Sequence, residues 1–244
     1  MIKEWTTPAG EYPRLYYDIL NNAHILIAGA SGSGKSVVIN GLIYTALYKS
    51  PASVKLICID LKRVELADYK HIPHTIAYAD DVKSALNALQ YALNIIEKRF
   101  EIMEGRRVKL YNGPDIYVII DEMADLLTTA KRQAVPLIQR ICQIGRAARV
   151  HLIGATQHIP TIPTAIRVNF DCRIGLRTQT KQDSRNIIGI NGCENLPRYG
   201  YGFYITPNGM QLYKLPMIDS IERERLISHW TGSAGRGRLR LFGY

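Results

Sequence analysis

The sequence lacks any apolar run of the roughly 18–20 residues that a membrane-spanning helix needs. Its first ten residues, MIKEWTTPAG, also lack the apolar core of a secretory signal. These two absences argue against a chain that inserts into a membrane or is exported. We therefore expect a cytoplasmic protein.

Cysteine is scarce and scattered, which argues against a disulfide framework or a zinc site. Cys58, Cys142, Cys172 and Cys193 form no CxxC pair, and no histidine stands at zinc-site spacing from them. Most of them sit in or beside apolar runs, which is typical of buried thiols. The sequence predicts four reduced, buried cysteines.

No single long basic run is present, although the chain is strongly basic. Lys and Arg number 31 against 21 Asp and Glu, a formal net charge of +10. Such an excess indicates a polyanionic partner, or else only a soluble basic surface. The excess is concentrated in four segments, which are 98–109, 131–149, 167–185 and 236–240.

Short apolar runs alternate with helical patterns along the chain. The predicted strands are Ile25–Ala28, Val54–Asp60, Ile116–Asp121, His151–Ala155 and Cys172–Leu176. The predicted helices are Lys35–Tyr48, Val82–Glu104, Ala134–Arg146 and Gln182–Ile188. Strands that are apolar throughout are covered on both faces, so the pattern predicts an α/β fold with a mostly parallel sheet sandwiched by helices. Two further runs, Tyr201–Ile205 and Met210–Leu215, flank TPNG and predict a hairpin.

A phosphate-binding loop follows the first predicted strand. The octapeptide GASGSGKS fits G-x-x-x-x-G-K-[ST] and opens a predicted helix, which is the context this loop requires. Its expected phosphate-binding residues are Gly29, Ala30, Ser31, Gly32, Ser33, Gly34, Lys35 and Ser36. Lys35 is expected to reach the β- and γ-phosphates of ATP, and the Ser36 hydroxyl to hold Mg²⁺.

Two adjacent carboxylates end the apolar run IYVII. Asp121 is expected to complete the Mg²⁺ shell, and Glu122 to polarise the attacking water. Taken alone, the pair could also be a helix N-cap. Together with the loop it favours ATP hydrolysis over phosphoryl transfer to a small molecule, and a small-molecule kinase remains the alternative enzyme class.

Six segments together resemble the motor domain of the FtsK/SpoIIIE DNA translocases. They are HILIAGASGSGKSVVINGLI, ICIDLKRVEL, IPH, VIIDEMADLL, QIGRAARVHLIGATQ and TKQDSR, and they span roughly 24–204. The resemblance implies a RecA-like P-loop motor that uses ATP and Mg²⁺. It also implies self-association into a ring, usually a hexamer, around double-stranded DNA.

The resemblance also gives individual residues a role. By similarity, Arg146 is an arginine finger that reaches the nucleotide of a neighbouring subunit, where its fork of donors suits developing phosphate charge. Arg149 is the nearby competitor, with a solvated helix end as its other interpretation. Gln157 resembles a polar sensor that couples the γ-phosphate to the DNA side, and Thr156 resembles a DNA contact.

Three more residues are DNA-binding candidates by the same similarity. Arg167 and Lys181 align with basic residues that hold phosphates in the pore of the ring. His158 stands where the family often has arginine, so its part in DNA binding is open. Three residues of IDLKRVEL match the family and suggest only an ion-paired link between helix and sheet: Asp60, Lys62 and Glu65.

The expected organisation is a stand-alone motor over residues 24–230. Residues 1–23 are expected to pack on it, and the basic tail 231–244 to be either disordered or a non-specific phosphate binder. Neither a membrane region nor a winged-helix domain is apparent, which favours DNA transfer or packaging for a phage, a plasmid or an integrated mobile element. The alternatives are an ATPase of a related ring that powers protein export, and the kinase named above.

Overall fold

Apolar runs that are buried along their whole length dictate the architecture. In a computed structural model, which describes residues 23–197, 200–214 and 218–232, these runs form the centre of one mixed sheet. The strands are β1 (Ile25–Ala28), β2 (Val54–Ile59), β3 (Thr75–Ala79), β4 (Asp115–Ile120), β5 (Val150–Thr156), β6 (Cys172–Leu176), β7 (Tyr201–Thr206) and β8 (Gly209–Lys214). The helices are α1 (Lys35–Leu47), α2 (Val82–Arg106), α3 (Met123–Ile144), α4 (Thr164–Arg167), α5 (Lys181–Ile188) and α6 (Ser220–Thr231).

The strand order across the sheet is β3-β2-β4-β5-β1-β6-β7-β8. The pairs from β3 to β6 are parallel, and β6, β7 and β8 pair antiparallel. The predicted α/β class, the mostly parallel sheet and the hairpin are therefore confirmed.

Helices cover both faces because successive strand residues point to opposite sides. Ile25 and Ile27 belong to one apolar cluster with residues of α1 and α6. Leu26 and Ala28 belong to a second cluster with residues of α2 and α3. Both clusters consist of side chains that water does not reach, so each face of the sheet carries its own core.

The parallel strands give the sheet two functionally different edges. At the loop edge, residues 29–34, 60–66, 121–122 and 157–158 follow the ends of β1, β2, β4 and β5. At the opposite edge these strands begin, with Asp115 level with the start of β2 and Ile116 paired to Val150. Ligands of open α/β sheets bind at the edge where strands end, so the loop edge is where a site is expected.

Several sequence predictions need correction. The helix predicted from Ala134 begins at Met123, and β3, α4 and α6 were not predicted. Helix α3 also passes through Pro136 and has a kink at Ala130. Leu215, the predicted segment 1–23 except its last residue, and the tail beyond residue 232 lie outside the described residues.

The cysteines agree with an expectation from composition. All four cysteines are free and buried, as predicted. Within residues 23–197, 200–214 and 218–232, no helix combines the length and the apolar character needed to cross a bilayer.

Candidate functional site

The loop between β1 and α1 has the shape of an anion cradle. Gly34 is the N-cap of α1 with a φ of 104°, a left-handed conformation that favours glycine. No side-chain hydrogen bond among the described residues caps the start of α1, so the first N–H groups of the helix point out of its end. Free N–H groups and the positive end of the helix dipole together suit a phosphate group.

Lys35 closes this loop from inside. Its Nζ donates to Gly29 O at 2.8 Å and to Ala30 O at 2.9 Å. Burial lowers the pKa of Lys35 to about 8, against the opposing effect of the nearby Glu122 and Asp121 carboxylates. The side chain therefore stays mostly charged at neutral pH while it is partly shielded from water, and this increases its attraction for a phosphate anion.

Glu122 is buried beside the loop and held by several donors. Its Oε1 accepts from Thr156 Oγ1 at 2.7 Å, and both carboxylate oxygens accept from Gln157 N at 3.1 Å. Glu122 is also the N-cap of α3 and accepts from Ala124 N at 3.4 Å. The capping role that was an alternative for this residue pair thus exists alongside its place at the site.

Carboxylates crowd the loop edge. Asp121 follows β4, and Asp60 follows the adjacent strand β2. Burial, followed by the charges of Asp60, Glu65 and Glu122, raises the pKa of Asp121 to about 7. This excess of negative charge is what a divalent cation would neutralise.

The structure gives the segment that follows β2 distinct roles. Glu65 Oε1 accepts from Ser36 Oγ at 2.5 Å, and Asp60 Oδ2 accepts from Leu66 N at 2.9 Å. Lys62 Nζ lies 3.4 Å from Asp125 Oδ2 and 3.8 Å from Glu122 Oε2. Lys62 therefore links this segment to α3, and Glu65 reaches the phosphate loop, a contact that sequence reasoning missed.

Thr156 does not fit its predicted role as a DNA contact. Its side chain is 0% exposed, because β5 lies between β4 and β1 in the middle of the sheet. The hydroxyl donates to Glu122 and accepts from His158 N at 3.1 Å. The structure therefore corrects the prediction, since Thr156 orients Glu122 from inside the protein.

In assays without DNA, we expect Thr156→Val to lower the turnover number for ATP hydrolysis about tenfold or more. The substitution keeps the shape of the side chain but removes the donor to Glu122, and a hydrogen bond to a charged group is worth about 1.5 kcal/mol or more. The measurement is steady-state ATP hydrolysis together with nucleotide affinity, which should stay unchanged. Thr156→Ser keeps the hydroxyl and is the matched control. Weaker DNA binding with normal basal hydrolysis would instead restore the original prediction.

An open cleft of about 380 Å³ adjoins the first half of the phosphate loop. One wall is formed by residues 29–31, and others by Gln157, His158 and Asp183. The side chains of Gln157 and His158 are exposed, and only the backbone of Gln157 bonds to Glu122. The predicted sensor therefore lies where it can contact both a nucleotide at the loop and the start of α5.

Arg146 lies far from the loop of its own chain. It follows α3, four residues before β5 begins, and so stands at the opposite edge of the sheet. β5 alone spans about 20 Å at the usual rise of a strand. Arg146 is exposed, and its side chain makes no hydrogen bond or ion pair with any residue that the structure describes. It cannot contact a nucleotide at the loop of the same chain.

Arg149, the competitor of Arg146, is engaged elsewhere. Its Nε and Nη2 donate to the two carboxylate oxygens of Asp115 at 2.8 and 2.9 Å. Because of this bidentate pair, Arg149 is not free to act as an arginine finger. It is also not a solvated helix end, which was its other interpretation.

The two basic DNA-binding candidates lie towards different edges. Arg167 ends α4, shortly before β6 begins, and donates to Thr164 Oγ1 at 2.9 Å. Lys181 begins α5, beyond the end of β6, and is exposed. Arg173 connects the two helices, because it donates to Arg167 O at 3.2 Å and to Ile187 O at 3.5 Å. Arg173 thus links the backbones of α4 and α5, but the side chains of Arg167 and Lys181 are not brought together.

Comparison with known proteins identifies a family with this loop. The profile of the FtsK/SpoIIIE family matches residues 11–113 and 109–161. The chain is 38% identical over 211 residues to the DNA translocase FtsK of Borreliella burgdorferi, covering 79% of this chain and 27% of that protein. It is 36% identical over 232 residues to the DNA translocase SftA of Bacillus subtilis, covering 87% and 24%. The chain thus spans about a quarter of the length of these relatives.

Solved structures share the fold at low sequence identity. The conjugation coupling protein TcpA of pCW3, solved with ATPγS, has a TM-score of 0.77 at 20% identity, covering 89% of this chain and 67% of that one. The cytoplasmic domain of the Type VII secretion ATPase EccC from Thermomonospora curvata has a TM-score of 0.74 at 22% identity, covering 90% and 30%. Since proteins with different tasks share it, this fold alone does not specify what is moved.

Proposed function

Because this chain belongs to the FtsK/SpoIIIE family, we propose that it hydrolyses ATP to move along double-stranded DNA. The observation that carries the proposal is Glu122, a buried carboxylate oriented by Thr156 and Gln157 beside the phosphate loop. A carboxylate in this place can orient a water molecule and accept its proton, which favours hydrolysis over transfer of phosphate to a small molecule.

ATP would lie with its phosphates in the loop. Lys35 Nζ, which donates to two loop carbonyls, would donate to the β- and γ-phosphates instead. Ser36 and Asp121 supply oxygen donors that fit Mg²⁺, a cation that commonly keeps phosphate oxygens and water among its ligands. Among the described residues no three His, Cys, Asp or Glu side chains form a metal site by themselves. When bound, Mg²⁺ would neutralise charge on the phosphates.

Hydrolysis then follows from the position of Glu122. A water oxygen attacks the γ-phosphorus, and the bond from that phosphorus to the β,γ-bridging oxygen breaks, leaving its electron pair on ADP. The Glu122 carboxylate orients the water and accepts its proton. Its contacts with Thr156 and Gln157 keep it in one orientation, so little reorganisation is needed during the reaction.

A ring of subunits would supply the arginine that one chain lacks at its own phosphate loop. Arg146 would approach the γ-phosphate of a neighbouring copy, since it stands at the edge opposite its own loop. A hexamer is the arrangement that the family resemblance implies. In such a ring, hydrolysis at one loop depends on the opposite edge of the next subunit.

DNA would be held through its phosphates. His158, Arg167 and Lys181 are the proposed contacts, and the chain's net charge of +10 favours a polyanion. A motor that passes any sequence cannot depend on base edges, so the contacts are expected to be sequence-independent. The corresponding biological task is DNA transfer or packaging for a phage, a plasmid or a mobile element.

Arg167→Ala and Lys181→Ala should each flatten the salt dependence of DNA affinity. Each neutralised phosphate contributes about 0.9 to the slope of log affinity against log salt, so we expect a loss of roughly one per subunit engaged. Basal ATP hydrolysis should persist, and its stimulation by DNA should fall. The measurements are binding and hydrolysis with two unrelated duplexes across a salt series.

Lys83→Ala is the matched control, because Lys83 is an exposed cation on α2, which packs on β3 and β2 at the end of the parallel strands farthest from β6. Sequence-selective binding, or unchanged slopes in both variants, would place DNA on another surface. If no nucleic acid stimulates hydrolysis at any salt, a protein-export ATPase becomes the better assignment. Transfer of phosphate to a small molecule would favour a kinase.

A further inference from the structure

The turn that carries Arg146 is closed very tightly. This turn, residues 145–149, connects α3 to β5 and is called the Arg146 turn below. Gly145 N donates to Ile141 O at 2.8 Å, and Val150 N donates to Gly145 O at 2.9 Å. A Cβ atom at Gly145 would lie 2.4 Å from Val150 O and 2.6 Å from Ile141 O, so no other residue fits without a backbone shift.

A buried arginine binds the carbonyls of this turn. Arg99 of α2 is only 5% exposed, and its Nη1 donates to Ala148 O at 2.6 Å and to Arg149 O at 3.2 Å. Its guanidinium lies 4.4 Å from the centre of the Tyr111 ring. Tyr111 N in turn donates to Ala147 O at 2.9 Å. One residue of α2 and one of the following loop thus bind three successive carbonyls.

The other side of the turn is anchored to β4. Arg149 has a left-handed φ of 56° and forms the bidentate pair with Asp115, which is 2% exposed. Burial alone would raise the pKa of Asp115, but hydrogen bonds from His151 and Arg149 lower it to about 2. Ile116 N also donates to Arg149 O at 2.9 Å. The turn is therefore fixed from two independent elements.

Simple stability does not explain the use of arginine at position 99. Burial lowers the pKa of Arg99, which reflects the cost of removing its charge from water. Ala148 is buried, so its carbonyl needs a partner, but an uncharged donor could supply that hydrogen bond at a lower desolvation cost than a guanidinium. What these contacts add is one fixed backbone conformation beneath Arg146, whose side chain is exposed and makes no hydrogen bond or ion pair with the described residues.

We propose that Arg99 is a positioning residue for Arg146, holding the Arg146 turn so that the Arg146 guanidinium is presented to the nucleotide of a second copy of this chain. The proposal rests on the proposed function, in which Arg146 acts between subunits. A guanidinium that must stabilise charge on a neighbour's phosphate has to be placed to within a fraction of an ångström, and a loose turn would not do this.

The test is ATP hydrolysis by Arg99→Met, which keeps roughly the side-chain volume but removes the nitrogen that donates both hydrogen bonds to the turn. We expect a fall of about tenfold or more in the turnover number, while nucleotide affinity stays at the wild-type value. Arg132→Met removes an exposed arginine from α3 and should leave turnover unchanged. Arg99→Lys keeps the charge but cannot bind both carbonyls and stack as Arg99 does; it should fall between Arg99→Met and wild type, and it decides the question if Arg99→Met does not fold.

Two further readouts separate positioning from a general loss of structure. Combined with Arg146→Ala, Arg99→Met should cause no additional loss, because both act through one guanidinium. In assemblies mixed with Lys35→Ala subunits, Arg99→Met subunits should regain hydrolysis, since their own loops are intact and the neighbour supplies an intact turn. Additive losses, or no recovery in assemblies shown to be mixed, would overturn the proposal.

The outcome also separates this proposal from the proposed function. If Arg146→Ala itself hydrolyses ATP normally, the role of Arg146 between subunits fails and Arg99 has nothing to position. If Arg146→Ala is inactive but Arg99→Met is normal, only the role of Arg99 is rejected.

Discussion

Glu122→Gln is expected to bind ATP normally and to hydrolyse it about 10²–10⁴-fold more slowly than the wild type. The amide cannot accept a proton from water, but Lys35 and the loop N–H groups that bind phosphate are unchanged. Lys35→Ala should be inactive for a different reason, because the phosphates lose their main cationic side-chain partner. Binding of a slowly hydrolysed ATP analogue distinguishes the two variants. Glu122→Gln should retain this binding, and Lys35→Ala should lose it.

The contacts of Glu122 require a check on folding. Both carboxylate oxygens accept from Gln157 N, and Oε2 lies 3.8 Å from Lys62 Nζ. An amide nitrogen placed there would face donors, so some loss of thermal stability is expected. Asp125→Asn is the control, because Asp125 pairs with the same lysine but its side chain, at the start of α3, is 42% exposed. Near wild-type turnover in Glu122→Gln would remove Glu122 from the water-activating role.

The local sequence was sufficient to predict the strands at the centre of the sheet. The bounds of β1 and β6 agree with those predicted, because these strands are short apolar runs with both faces covered. Elements that are less uniformly buried were missed. β3 is mostly half-buried along its length, and α6 buries a single residue, Leu226. The first half of α3 follows β4 after only two residues, Asp121 and Glu122, so no longer loop marks where the helix begins.

The phosphate loop could be predicted from consecutive residues. The contacts that distant residues make around it could not. The loop acts through its own backbone, which eight adjacent residues define. Glu122 and Thr156 are 34 positions apart and meet only because β5 inserts between β4 and β1. Arg99 and Ala148 are 49 positions apart and meet where α2 and α3 pack together. Strand order and helix packing therefore decided these contacts, and no local pattern specifies them.

Arg146→Ala should be inactive by itself yet partly active when mixed with Lys35→Ala. Arginine fingers contribute roughly 10³–10⁵ to the rate where they have been removed or supplied. Arg146 stands at the edge of the sheet opposite its own loop, so we expect any direct effect on hydrolysis to appear at another subunit's nucleotide. In a mixed ring, an Arg146→Ala subunit keeps an intact loop, and a Lys35→Ala neighbour supplies the missing guanidinium. The measurement is ATP hydrolysis as a function of the mixing ratio, which should peak at intermediate ratios.

The dependence of ATP hydrolysis on the mixing ratio is more informative than the activity of either variant alone. If Arg146 served only the fold of its own chain, mixing would give the average of two inactive proteins at every ratio. If it served its own nucleotide, the same flat result would follow, but the distance across the sheet already argues against this. A peak therefore requires that the opposite edge of one subunit completes the loop edge of the next. A flat profile in rings shown to contain both variants would require a different residue for the contact between subunits.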